Sequence, residues 1–189
     1  MFKIYKIIIL LIFLSFPLSL NAHLQHYDDL NRIEFDIYRN NKHIGKHIFS
    51  FKRSDGQLAV ESEINFEIKK FGIVLYKYHV LGTEIYQNGE LIKFNSKTNQ
   101  NGKQKYVNMK LENGEYIIDG SSYKGKAPED YLLGTWWNHS IIKAEAQISA
   151  VSGRIIKQKV TSLGKEIIKL GEKSYNALHF NFSSTDKKL

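Results

Sequence analysis

The chain has 189 residues, no cysteine, and a formal net charge of +8. The missing cysteines exclude a disulfide frame and a lipid anchor on a mature N-terminal cysteine, so stability must come from burial alone. The lysines are scattered through the strands, as in KIIKAEAQ and RIIKQKV, with no block or stripe of the kind that reads nucleic acid.

Residues 1–22, MFKIYKIIILLIFLSFPLSLNA, carry Lys3 and Lys6 ahead of an apolar run from Ile7 to Leu14, then Asn21-Ala22. A short basic start, an apolar centre and a small residue at the end predict a cleavable signal peptide. The run falls short of the ~20 residues of a membrane span, so the product is expected to be periplasmic or secreted and not membrane-spanning. Residues 23–189 then form a single domain, with 25 basic residues (27 less Lys3 and Lys6) against 19 acidic ones. Such a balance suits either anionic envelope lipids and polymers or an ordinary solvated surface.

Alternation dominates the chain beyond residue 30. In LAVESEINFEIKK, Leu58, Val60, Ile64, Phe66 and Ile68 share one parity, broken by Ser62, while Glu61, Glu63, Asn65, Glu67 and Lys69 share the other. Side chains of a strand alternate between faces, so this is a strand with one dry and one wet face, in an antiparallel sheet. Asn88-Gly89, Asn101-Gly102 and Asn113-Gly114, with Asn40-Asn41 and Asp55-Gly56, supply corners that tolerate the positive φ of tight hairpin turns. The spacing predicts strands over 32–39, 43–53, 57–70, 73–87, 90–99, 103–112 and 115–120. These form a meander of local links, with no true repeat.

The pattern changes at SSYKGKAPEDYLLGTWWNHSI. Pro128 suits a first helical turn, and Glu129 and Asp130 suit its positive end, predicting a short helix over 128–139 that carries both tryptophans. Strands resume over 154–163, 165–170 and 174–184, and the chain stops at TDKKL.

These motifs resemble an uncharacterised family of bacterial exported proteins, a domain of unknown function (number 6134). Its pattern runs through a segment like HIGKHIFSF, a meander, a tryptophan and a polar residue like Trp137-Asn138, a segment like ISAVSGRIIKQKV, and a late strand like NALHFNF. The resemblance covers most of residues 23–189 in order and implies an exported β domain, with no activity to carry over. It also implies one more tryptophan-containing strand than is present here, and hence a chain shortened at its C-terminus. At the level of fold alone, the expected architecture resembles lipoprotein-carrier half-barrels and lipocalins.

Candidate sites divide by chemistry. Trp136 and Trp137, with Asn138, His139 and Ser140, either line an apolar pocket or plug one end of a curved sheet. A catalytic triad on one turn is rejected, because adjacent residues point in different directions. His43 and His47 lie four residues apart on a strand, about 13 Å, too far to share a metal. If cleavage follows Ala22, the free amine and imidazole of His23 form a copper chelate that needs a second histidine, from His26, His79, His139 or His179. No nucleophile elbow, phosphate loop or zinc-protease motif is present, and Glu61, Glu63 and Glu67 read as solvated carboxylates, so an enzyme is the reading with least support. No cofactor is expected.

The expected fold class is all-β and mainly antiparallel: a meander of about eight to ten strands curled into an open or incompletely closed barrel, with one short Trp-bearing helix over its mouth. The function expected is a non-enzymatic binding module for an apolar or amphipathic envelope molecule such as a lipid, gripped by Trp136, Trp137, Phe66, Tyr76 and Tyr78. One alternative is an envelope interaction or structural protein with a filled barrel and a protein partner; the other is a copper protein built on His23 and His26.

Overall fold

The computed structural model describes Tyr27 and residues 29–186. Residues 1–22, His23 and His26 lie outside the described residues. The first eight strands are β1 (Arg32–Arg39), β2 (Lys42–Ser54), β3 (Gln57–Lys70), β4 (Ile73–Gln87), β5 (Glu90–Gln100), β6 (Lys103–Glu112), β7 (Glu115–Gly120) and β8 (Lys124–Pro128). They form one antiparallel sheet in sequence order, a pure meander whose edges are β1 and β8. The barrel is therefore open, and the fold is all-β.

Four further strands make a second sheet in the order β12-β11-β10-β9: β9 (Leu132–Leu133), β10 (Ala146–Ile148), β11 (Ile155–Leu170) and β12 (Lys173–Ser184). Among the described residues, only β9 and β10 pair in parallel. The strands expected over 154–163 and 165–170 are one strand, β11, with a register shift between Ser162 and Gly164. Gly164 acts as a bulge there instead of a break.

The helix expected over 128–139 does not form. Pro128 ends β8, residues 132–133 pair as β9, and the one helical turn here is a 3-10 helix, His139–Lys143, beyond both tryptophans. Gly134 explains part of the difference. Its backbone N–H donates to the Ile148 carbonyl of β10 at 2.9 Å, a bond that continues the sheet pairing of β9. Asn138 caps the 3-10 turn, its side chain accepting from the Ser140 backbone N–H at 2.9 Å.

Cross-strand partners share a face, so the inner face can be read across the sheet. One row runs Phe49, Ser62, Gly82, Ser96, Val107, Gly120. Ser96 and Gly120 are small where a length of chain crosses them, and Gly82 leaves room for Ser62 Oγ and the Phe94 ring. Ser96 Oγ donates to the Ala150 carbonyl at 2.6 Å, and the Ser122 backbone N–H donates to the Ser152 carbonyl at 2.9 Å. At Gly120 any side chain is forbidden, since a Cβ would lie 2.5 Å from that same Ser152 oxygen.

This row divides the inner face. On one side lies a filled core of Phe49, Phe51, Val60, Tyr86, Leu91 and Phe94, continued by Met109, Tyr116, Ile118 and Trp137. Gln158, buried on β11, ties the 3-10 turn to the second sheet by donating to the carbonyls of Ile141 and Ala144, both at 2.9 Å.

Candidate functional site

Trp137 lies in the filled half, 4% exposed. Its ring meets Tyr27, Phe51 and Tyr86 edge-on at centroid distances of 5.2, 5.3 and 5.8 Å. Its Nε1 donates to the two carboxyl oxygens of Glu84 at 2.9 and 3.1 Å, and the Tyr86 hydroxyl donates to Glu84 Oε2 at 2.6 Å. Glu84 is fully buried. Loss of hydration lifts its pKa from the ordinary 4.5 to about 7, against the lowering effect of bonds from Tyr86, Trp137 and Thr135. Burial likewise pushes the Tyr86 hydroxyl well above its usual range. A buried acid held by an indole and a phenol in a packed core serves to dock the segment after β9 onto β4.

Trp136, by contrast, is 54% exposed, adopts φ 71°, and packs edge-on against Phe182 of β12 at 5.0 Å. Consecutive residues thus point to different places, one into the first sheet's core and one onto the second sheet. Tyr27 closes over Trp137: its hydroxyl lies 3.0 Å from His139 Nδ1, and the guanidinium of Arg53 donates to the carbonyls of Leu30 (2.9 Å) and Tyr27.

Beyond the crossing chain the inner face continues into three aromatics. Phe66 on β3 stands opposite Tyr78 on β4, and Ile68 opposite Tyr76. The Phe66 ring stacks on Tyr78 at 5.1 Å and on Tyr76 at 6.0 Å. Ile64 and Val80 pair in the next rung, and His47 pairs with Ile64 from β2, its ring 4.2 Å from that of Phe49. Burial lowers the pKa of His47 and raises that of Tyr78, so both favour their neutral forms. Phe66, Tyr76 and Tyr78 are each half-buried, flanked by other side chains but without a covering layer as complete as that over Glu84.

Thr98, on the same face opposite Val80, is fully buried, and its Oγ1 has no hydrogen-bond partner among the described residues. It marks the boundary between the filled half and the open half. An unpaired buried hydroxyl is a standing cost to the fold.

Of the five aromatics expected to line one site, the fold brings Phe66, Tyr76 and Tyr78 together. It places Trp137 near Glu84, six residues further along β4, about 20 Å away, and Trp136 on the second sheet. The histidines are dispersed: His43 pairs with Asp36 at 3.1 Å, His79 with Glu63 at 3.2 Å and His179 with Glu166 at 3.3 Å. Among the described residues, no three His, Cys, Asp or Glu side chains gather as a metal site, and no helix is long and apolar enough to cross a membrane. Glu61 pairs with Lys52, and Glu67 with Lys69 and Lys77, on the outer face.

Sequence reading missed Glu84, Thr98 and the small-residue row. Their signal was present: in the parity of Tyr76, Tyr78, Val80, Gly82, Glu84 and Tyr86, a glutamate stands where alternation demands an apolar residue. No curated protein and no solved structure matches the chain. Residues 35–189 match the family described as Domain of unknown function (DUF6134), and the chain, an open all-β meander closed over by its own 129–153 segment, belongs to that family.

Proposed function

We propose that this protein is a non-enzymatic binding module of the bacterial cell envelope, exported by its N-terminal segment, which holds an apolar or amphipathic small molecule or lipid. The observation that carries the reading is the stacked row of Phe66, Tyr76 and Tyr78 on the inner face beyond the crossing chain. The filled half already supplies a core, so stability alone gives no reason for a second aromatic row without a full covering. Burying a large apolar side chain is worth roughly 1.5–3 kcal/mol, and an acyl chain laid along the row gains that burial for both partners.

The test is native mass spectrometry and solvent extraction of the protein recovered from an expressing cell. A co-purified apolar molecule in the wild type, depleted in Phe66→Ala/Tyr78→Ala, is the expected result. Wild-type protein that carries nothing and takes up no fatty acid or phospholipid would sink the reading.

A second reading, an envelope interaction protein, is favoured by the ribbon of β11 and β12. From residue 161 to 176 every residue is exposed, Ile167 and Leu170 by 68% and 65%, and β12 is the edge of its sheet. Unpaired edges of this kind pair with another chain.

A further inference from the structure

The two-residue hairpin corners of the first sheet follow one rule with one exception. Asn40, Asn41, Asp55, Asn88, Asn101 and Asn113 all take positive φ at tight turns, the backbone region that asparagine and aspartate tolerate. Between β3 and β4 the same position, φ 51°, is held by Phe71. It is a bulky residue in a conformation that disfavours it, and its ring is 92% exposed. The next residues after Gly72 continue the pattern: Ile73 is 65% exposed, and Val74 and Leu75 are exposed as well. Neither folding nor solubility accounts for four apolar side chains at the far tip of a sheet.

Charge surrounds that tip. Lys69 and Lys70 precede Phe71, and the Lys70 ammonium sits 5.6 Å from the Phe71 ring centroid. Next to it β2 and β3 part company: their pairing ends at Gly45 opposite Phe66, although β2 starts at Lys42 and β3 runs on to Lys70. Contact there is so close that a Cβ on Gly45 would meet the Asn65 carbonyl oxygen at 2.0 Å. Beyond it a cleft of about 690 Å³ opens between the two hairpin tips, lined by apolar side chains that include Phe66 and Ile68 and by five cations, among them Arg39, Lys42 and Lys70, with Glu67 as the carboxylate. Glu67 is already paired with Lys69 and Lys77, which leaves Arg39, Lys42 and Lys70 to draw an anion into the cleft.

We infer that this end of the sheet docks onto an anionic lipid bilayer: Phe71, Ile73 and Val74 enter the boundary of the acyl chains, and the basic cleft between the tips takes anionic headgroups. Apolar side chains with flanking cations form the standard interfacial combination, neither sufficing alone. The strands that end in this tip also carry Phe66, Tyr76 and Tyr78, yet docking requires no ligand on the inner face.

The experiment is flotation with vesicles of phosphatidylglycerol and phosphatidylcholine in equal parts, against phosphatidylcholine alone. Wild type and variants are compared in the same processed form, so that any contribution of residues 1–22 is common to all. The decisive variant is Phe71→Asn, which restores the asparagine-glycine turn used elsewhere in the chain. It is expected to raise the thermal midpoint while vesicle binding falls about tenfold or more, as it should also for Lys69→Glu/Lys70→Glu and on raising salt to about 0.5 M. Opposite movement of stability and binding separates docking from a merely structural role. Equal binding to both vesicle types, binding unchanged in Phe71→Asn, or a Phe71-dependent dimer in sedimentation without vesicle binding would each overturn the inference.

Discussion

Glu84 is the residue whose chemistry most clearly exceeds a packing role. Its carboxyl is buried among Trp137, Tyr86 and Thr135 with a pKa lifted to about 7. The folded state therefore holds the proton more tightly than the unfolded chain does. The stability this contributes is fully present below about pH 4.5 and is lost as pH rises through 7. The gap corresponds to about 3 kcal/mol across that window. Denaturant midpoints of the wild type should thus fall between pH 5 and pH 8, more steeply than those of Glu84→Gln. Glutamine still accepts from the indole and carries no charge to desolvate, so this variant should be the more stable protein at pH 8. A glutamine variant less stable than wild type at pH 8 would show that the fold favours the ionised carboxylate, contrary to a raised pKa.

Among the elements, the crossing segment and the β11–β12 ribbon make opposite predictions. Residues 149–153 lie against Ser96, Gly120 and Ser122 through close main-chain contacts. Gly120→Val should force the Ser152 carbonyl away and cost about 1–3 kcal/mol in equilibrium unfolding; a neutral result would mean that the segment does not cross there. The ribbon beyond Thr161 has only two strands, and its side chains are exposed as far as Asn176. Two strands alone are marginal in water, so in hydrogen exchange its amides should open far faster than those of β3, β4 and β5. Equal protection would indicate that another surface covers it. The hairpins were legible because alternation and asparagine-glycine corners are local signals, and β3, β4, β6 and β7 run between the residues read from them. β8, β9 and β10 were not legible. They are five, two and three residues long, too short to show a period, and β9 is a strand only through its parallel pairing with β10. Pro128, Glu129 and Asp130 imitated a helix start for the same reason, since local chemistry there is overruled by the contacts of Leu132, Leu133 and Gly134 with β10.

At the scale of the molecule, one sheet does two jobs. Its inner face is a core on the Trp137 side of the crossing chain and a less covered aromatic row on the Phe66 side. The aromatics of the row could be read from the sequence as inward-facing residues. Their separation from the tryptophans could not, because parity assigns a face and says nothing about which part of that face the chain later covers. The small residues Ser62, Gly82 and Ser96 carried that information, as gaps in an otherwise apolar parity. On the proposed function, the open half of the face receives an amphiphile while the filled half does not. Titrating a spin-labelled fatty acid into isotope-labelled protein, and following amide line broadening, distinguishes the two halves residue by residue. Broadening should centre on Phe66, Tyr76, Tyr78 and Thr98, with Glu84, Met109 and Ile118 unaffected. Broadening centred on Trp137 and Glu84, or none at ligand excess, would refute the division.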